Sequence, residues 1–325
     1  MDRNAVIIVT GAAGFIGSCL TGYLNRKGYH NIIIVDDFSD DRKRHNYDEK
    51  KICARVDKDE LFDWLSRYKI RIDFVFHMGA VTEMAEGALL KKLNNEYSEA
   101  LWNYCTQKSI PFIYASSAET YGAGEFGFKD DHELTSKLKP LNSYADSKNE
   151  FDKWALRQSM QPPFWAGLKF FDVYGPNEYH KGTSASAILT SFFEAQANGK
   201  ISLAKASENN SLRFDFVYIK DVVDICYWLM QKSVEDYNRP SSGLYNIGTG
   251  NARSLQDLAK AIFSNIQKEP NIEFDNKIIS GEGGSHFKEA DISKLRKAGY
   301  NKEFYSLEEG VKTYVQHFLN DRKYY

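Results

Sequence analysis

Val6-Ile7-Ile8-Val9-Thr10-Gly11-Ala12-Ala13-Gly14-Phe15-Ile16-Gly17 is the stretch that decides the fold. Val6 to Val9 is a continuous apolar run, the pattern of a strand buried on both faces. It leads straight into three glycines and a helix-like segment, Ser18 to Lys27, that ends at Gly28. The three glycines serve separate ends, namely a tight turn, close approach of backbone to a pyrophosphate at the helix N-terminus, and close packing of helix on strand. A second apolar run, Ile32-Ile33-Ile34-Val35, ends in Asp36-Asp37. That is about 20 residues beyond the glycines, where an acid that binds an adenosine ribose is expected. The alternative, a glycine-rich turn without a ligand, does not explain why strand, turn, helix, strand and acid fall in order.

Asp36 by itself argues for NAD, because a ribose 2′-hydroxyl donates to a carboxylate. Arg42, Lys43, Arg44 and Lys58 follow, however, and offer cations to the 2′-phosphate of NADP. A solvated basic loop is the other reading of that cluster.

Further apolar runs occur at Phe74-Val75-Phe76-His77, Phe112-Ile113-Tyr114-Ala115 and Ala166-Gly167-Leu168-Lys169-Phe170-Phe171, with longer helical patterns between them. Strands alternating with helices predict an α/β fold, a Rossmann-type doubly wound parallel sheet with ligands at the carboxyl ends of its strands. After Gly175-Pro176 the alternation breaks down. Residues 177–215 are polar with a helix-like segment at Ser184–Asn198, and residues 250–325 add helices with little strand character. Tyr245-Asn246-Ile247-Gly248 reads as a late strand returning to the sheet. The expected division is a dinucleotide-binding domain at 1–175 and 216–249, with a smaller, discontinuous C-terminal substrate-binding domain at 176–215 and 250–325.

The 325 residues are 42% hydrophobic and 26% charged, with a formal net charge of -2. That balance gives no reason to expect nucleic acid or an anionic membrane as a partner. Cys19, Cys53, Cys105 and Cys226 are scattered, without Cys-x-x-Cys or metal-ligand spacing, so they read as thiols in a reducing compartment and no metal is expected. The N-terminus enters the first strand without a signal peptide, and no apolar run approaches the ~18 residues of a membrane span. The expected location is the cytoplasm.

Tyr144-Ala145-Asp146-Ser147-Lys148 carries the chemistry. A tyrosine and a lysine four apart share one helix face, and an ammonium beside a phenol stabilises the phenolate. Such a tyrosine can exchange a proton with a substrate alcohol, the proton half of a hydride transfer. Alone the pair is also compatible with an ordinary helix surface.

With the pair placed after Gly11, Gly14 and Gly17, the chain resembles the extended short-chain dehydrogenase/reductase family over nearly its whole length. Ser116-Ser117-Ala118-Glu119-Thr120-Tyr121-Gly122 is similar to a further signature of that family, which makes Ser117 the hydroxyl that bonds the reacting oxygen. Gly175-Pro176-Asn177-Glu178-Tyr179-His180-Lys181-Gly182, preceded by Phe170-Phe171-Asp172-Val173-Tyr174, resembles the ADP-L-glycero-D-manno-heptose 6-epimerases more narrowly. The resemblance implies oxidation at C6 and re-reduction on the opposite face, with Lys181 as a second acid–base residue or a phosphate ligand. It implies tightly bound NADP, or NAD, held by Phe15, Ile16, Asp36, Asp37, Lys43 and Lys58 at the adenine end. At the nicotinamide end it implies Met78, Gly79, Ala80, Val81, Thr82, Asn94, Lys148 and Val173. Ser117, Asp172, Lys181, Thr183 and Arg213 become the substrate contacts, with ADP-heptose as the implied substrate and a homo-oligomer as the implied assembly.

Several positions depart from the narrower pattern. Asp172 stands where the subfamily has asparagine, and an ionised carboxylate cannot donate a hydrogen bond. Phe214-Asp215-Phe216-Val217-Tyr218 stands for Arg-Asp-Phe-Val-Tyr, with Arg213 one place early. Gly283-Gly284-Ser285 replaces Arg-Tyr-Gln, and Val81-Thr82-Glu83-Met84-Ala85-Glu86 replaces a Ser/Thr-rich segment. Glu119 replaces alanine; in nucleotide-sugar 4,6-dehydratases a glutamate there removes a C5 proton. The alternatives are thus another nucleotide-sugar 4-epimerase, or a 4,6-dehydratase that uses Glu119. A non-catalytic dinucleotide sensor is a third, which would have no use for the Tyr144–Lys148 pair.

Overall fold

The computed structural model describes residues 1–81, 87–205, 212–235, 239–278 and 286–325. Thr82, the rest of the segment to Glu86, and Gly283-Gly284-Ser285 lie outside the described residues. Seven strands form one parallel sheet: β1 (Ile7–Thr10), β2 (Ile32–Asp36), β3 (Ala54–Asp57), β4 (Phe74–His77), β5 (Phe112–Ser117), β6 (Trp165–Phe170) and β7 (Gly243–Ile247). Their order is β7-β6-β5-β4-β1-β2-β3. The chain therefore reverses direction across the sheet between β1 and β4, and a crevice opens there at the strands' carboxyl ends.

The apolar runs are continuous because both faces of the sheet are covered. Ile7, Val9, Ile32, Ile34, Phe74 and Phe76 point into one core, shared with helix α1 (Phe15–Arg26). Ile8, Ile33, Val35, Val75 and Phe112 point into the other, with Leu61, Leu65, Trp102 and Phe151. Alternate residues thus serve two cores, and on β1, β2 and β4 no position is left for a polar side chain until the strand ends.

Helix α1 starts at Phe15, three residues before the expected Ser18, because Gly14 in extended conformation is itself the N-cap. Helix α2 (Tyr97–Lys108) continues a π-helical turn at Lys91–Glu96, and α3 (Ser143–Arg157) carries Tyr144 and Lys148. The segment read as helical from Ser184 forms α4 (Ala187–Asn198), capped by Ser186. Strand β7 pairs with β6, so the late strand does return to the sheet.

Residues 250–325 hold more strand than expected. Arg253–Ser254 and Phe287–Lys288 flank Arg213–Phe214 in a three-stranded sheet, and Ile272–Ile278 pairs with Ile201–Lys205. The two-residue strands are too short to leave a periodic signature. Asp215, fully buried, clamps this region: its carboxylate accepts from Thr249 N (2.7 Å), Gly250 N (2.9 Å) and Ala290 N (3.0 Å).

Candidate active site

The glycine turn is built for close approach. Gly11 has φ +66°, and a Cβ there or at Gly17 would run into backbone, that of Gly79 in the first case and of Gly11 in the second. No side chain caps the start of α1, so the helix presents its first N–H groups and the positive end of its dipole to the crevice. Those features fit a dinucleotide pyrophosphate.

Asp36 is buried at the end of β2 and is heavily engaged. Its carboxylate accepts from Ala13 N (2.9 Å) and Asp37 N (2.8 Å) and pairs with Lys43 Nζ (3.2 Å). It therefore braces the turn, while Asp37 reaches solvent and lies 3.9 Å from Lys58 Nζ. Hydrogen bonds from Ser39, with Lys58 and Lys43 adding to them, hold the Asp37 carboxyl below its usual range. Of the basic cluster, Arg42 and Arg44 turn to Asp40 and Asp48, Lys58 pairs with Asp59 at 2.9 Å and lies 3.9 Å from Asp37, and Lys43 pairs with Asp36.

Across the crevice, Tyr144 and Lys148 lie on α3, whose cap is Asn142 Oδ1 accepting from Ala145 N at 2.7 Å. Tyr144 is half-buried and Lys148 is buried. Burial pulls the Lys148 ammonium down to about 8, against the opposing pull of Asp152 one turn further on. Ser117 ends β5 with its Oγ accepting from Glu119 N (3.1 Å). Asn94 sits in the π-helical turn and joins two of the expected groups: it exchanges hydrogen bonds with the Val81 backbone (2.8 and 2.9 Å) and donates to Ser147 Oγ (3.0 Å). Ser147 Oγ in turn donates to Tyr144 O at 2.7 Å. Met78 is buried, Gly79 lies against Thr10 and Gly11, and Ala80 is exposed at the crevice edge.

Beneath these groups lies a buried polar layer that the sequence reading missed. Lys169 Nζ pairs with Asp152 Oδ2 at 2.7 Å and donates to Thr120 Oγ1; Tyr114 and Ser116 hydroxyls complete the shell of Asp152. His77 bridges Thr10 Oγ1 (2.6 Å) and Ser98 Oγ (2.8 Å), and burial, aided by nearby Lys148, keeps it neutral with a pKa of about 3.

The motif from Gly175 to Gly182 is anchored to α1. Asn177 Nδ2 donates to Ser18 Oγ (2.9 Å), and buried Glu178 accepts from Ser186 N (2.7 Å) and the Tyr314 hydroxyl (3.2 Å). This sets Lys181 Nζ over the Phe15 ring, 5.6 Å from its centre, at the start of α1. Thr183 is exposed on the same turn, and half-buried Val173 lies in the short strand Asp172–Tyr174.

The far side of the crevice is built from residues far apart in sequence. Lys288 Nζ meets Glu119 Oε1 at 2.9 Å, and Asn142 Nδ2 meets Glu119 Oε2 at 3.2 Å. Asp172 faces this pair from the start of the short strand Asp172–Tyr174; its side chain is open to the crevice, but protein crowds around it and raises its carboxyl to about 6. Lys288 opposes that rise, and Glu119 and Asp215 add to it. Arg213, exposed, spends one guanidinium N–H on Ala252 O at 2.8 Å. A separate cavity of about 600 Å³ lined by Tyr23, Arg26, Lys220 and Asp224, among others, contains none of these side chains.

The chain is similar to named proteins over almost its entire length. It is 43% identical to the ADP-L-glycero-D-manno-heptose-6-epimerase of Fusobacterium nucleatum, across 97% of this chain and 98% of that protein. With the protein of the same name from Nitratidesulfovibrio vulgaris it shares 39% identity, across 96% and 97% of the two chains. The crystal structure of the Helicobacter pylori ADP-L-glycero-D-manno-heptose-6-epimerase superposes with a TM-score of 0.78 at 26% identity, covering 97% of each chain. A family model described as the NAD dependent epimerase/dehydratase family matches residues 7–248, from β1 through β7, and the chain belongs to that family.

Proposed function

We propose that this protein is a nucleotide-sugar epimerase that interconverts ADP-D-glycero-D-manno-heptose and ADP-L-glycero-D-manno-heptose through transient oxidation at C6. The observation that carries the reading is Tyr144 paired, four residues along one helix face, with a buried Lys148, in a chain 43% identical to an enzyme of that name. A nicotinamide cofactor, when bound, supplies the acceptor and later the donor of one hydride. Tyr144 takes the C6 hydroxyl proton, and the Lys148 ammonium lowers the cost of the phenolate. Ser117 donates to the oxygen as it becomes a carbonyl. Re-reduction on the opposite face restores the alcohol with the other configuration and no net oxidation.

NADP is the proposed cofactor, with NAD as the alternative. The support is that Lys43 and Lys58 lie beside Asp36 and Asp37, with Lys58 also paired to the exposed Asp59, while Arg42 and Arg44 turn to Asp40 and Asp48. Gly11, Gly14, Gly17, Phe15 and Ile16 would hold the pyrophosphate, and Met78 to Val81 with Asn94 and Val173 the nicotinamide side. The place of Lys181 over Phe15, at the positive end of α1, supports anion binding over proton transfer. Asp172, Thr183 and Arg213 are the proposed sugar and diphosphate contacts, on the smaller C-terminal region at 176–215 and 250–325 and at its edge.

The dehydratase alternative requires Glu119 as a free base, and both its oxygens are engaged. Incubation of the purified protein with ADP-D-glycero-D-manno-heptose, followed by NMR and mass spectrometry, tests the reading. Conversion to the C6 epimer at unchanged mass is expected; a product lighter by one water would replace the epimerase reading with the dehydratase one.

A further inference from the structure

Glu119 occupies a position where a carboxylate can act as a base, and the structure surrounds it with groups that oppose that use. Lys288, only 14% exposed, places its ammonium 2.9 Å from Oε1. Asn142, whose own Oδ1 caps the helix that carries Tyr144, places its amide 3.2 Å from Oε2. Lys288 arrives on a two-residue strand whose register is set by Arg213–Phe214, and nearby Ala290 is clamped by Asp215. The ammonium is therefore held in place from behind rather than swinging on a free loop. The charged groups that face the pair are Asp172 on one side and, beyond it, Asp215.

We infer that Lys288 is a positioning residue that ties up the Glu119 carboxylate in an ion pair and thereby denies it the role of base, so that the oxidised sugar is epimerised without proton loss at the neighbouring carbon. The inference rests on the epimerase reading. A carbonyl at C6 makes the C5 proton acidic, and an unrestrained carboxylate nearby would take it. The C5–H bond would break, its electron pair would enter the C5–C6 bond, and the carbonyl π electrons would move onto oxygen, opposite Tyr144 and Ser117. Return of a proton from the carboxylic acid to C5 would reverse the step, leaving only exchange with solvent and no redox change.

The two charges support each other. The surrounding protein works to raise the Glu119 carboxyl, whose side chain is still 44% exposed, and Lys288 with Asn142 outweighs it, leaving the group below the ordinary glutamate range. Lys288 is held above the ordinary lysine range in return: burial works to lower it, and Glu119 and Asp172 outweigh that. Each member therefore favours the charged form of the other.

Two readouts on the holoenzyme as purified test this, one of which does not depend on turnover. In protein labelled with 13C at the glutamate carboxyl, the signal absent from Glu119→Gln identifies Glu119. Its midpoint lies below 4.5 in the wild type and rises by about one pH unit or more in Lys288→Thr, whereas Lys288→Arg keeps it low. With ADP-heptose in D2O, deuterium at C5 of the recovered sugar rises about tenfold or more in Lys288→Thr and returns to background in Lys288→Thr/Glu119→Gln. Lys288→Met replaces Lys288→Thr in both arms if the latter does not fold. An unmoved midpoint, no added C5 deuterium, or deuterium that survives the double substitution would each overturn the inference. A wild type that leaves ADP-heptose untouched would overturn the epimerase reading instead, while the titration still decides the ion pair.

Discussion

Replacing Lys148 by methionine separates what this residue costs the fold from what it gives the reaction. The Lys148 ammonium is 4% exposed, and burial brings it from 10.5 to about 8. A shift of one unit corresponds to about 1.36 kcal/mol, so holding the charge costs the native state about 3 kcal/mol. The folded pKa lies below the unfolded one. Below pH 8 both states keep the proton and the native state bears the penalty in full. Between 8 and 10.5 the unfolded chain binds more protons than the native one, so stability rises with pH until the penalty is gone. Lys148→Met keeps the volume and removes the charge. Cofactor-free Lys148→Met should therefore be more stable than wild type by about 2–3 kcal/mol at pH 7, with the gain vanishing by about pH 10.5. Its epimerase turnover should fall by about 100-fold or more. Urea unfolding of both proteins at about pH 7 and about pH 10.5 measures the difference. A variant less stable than wild type at neutral pH, or a gain independent of pH, would refute the assignment of Lys148 as a buried, strained cation.

Turnover should decline above pH about 8 as Lys148 loses its proton, and a pH–rate profile of the wild type checks it. On the acid side, Asp172 protonates below about 6, so KM for the nucleotide sugar should change there, and Asp172→Asn should abolish that limb of the profile. Gly11→Ala forces a Cβ into the Gly79 backbone from a left-handed φ; the protein should purify without nicotinamide cofactor, as read by absorbance after denaturation. Lys169→Met leaves the Asp152 carboxylate buried without its cation and should cost about 3–5 kcal/mol in urea unfolding.

The main sheet was legible in the sequence because its strands serve two cores at once. Ile7 and Val9 face one layer and Ile8 the other, and such a run, too short for a buried helix and closed by a glycine turn, reads as a strand. Tyr144 and Lys148 were legible for a similar reason, since one turn of helix brings them together whatever surrounds them. Other features depend on contacts between distant segments. Lys288 and Glu119 are 169 residues apart and meet through a strand of two residues, too short for any period to register. Asp36, expected at a ribose, also accepts from Ala13 N and pairs with Lys43, a partnership the spacing alone could not reveal. Lys181 was read from its motif, but only the anchoring of Asn177 to Ser18 shows that it stands beside Phe15.

In the proposed reaction one hydride leaves C6 and returns to C6 from the other face. The most direct measurement uses ADP-D-glycero-D-manno-heptose carrying deuterium at C6, incubated with the purified holoenzyme and analysed by NMR and mass spectrometry. An equilibrium mixture of C6 epimers is expected, with the deuterium still at C6 and the mass unchanged. Deuterium washed out to solvent with epimerisation, or no epimer formed, would contradict the proposed reaction.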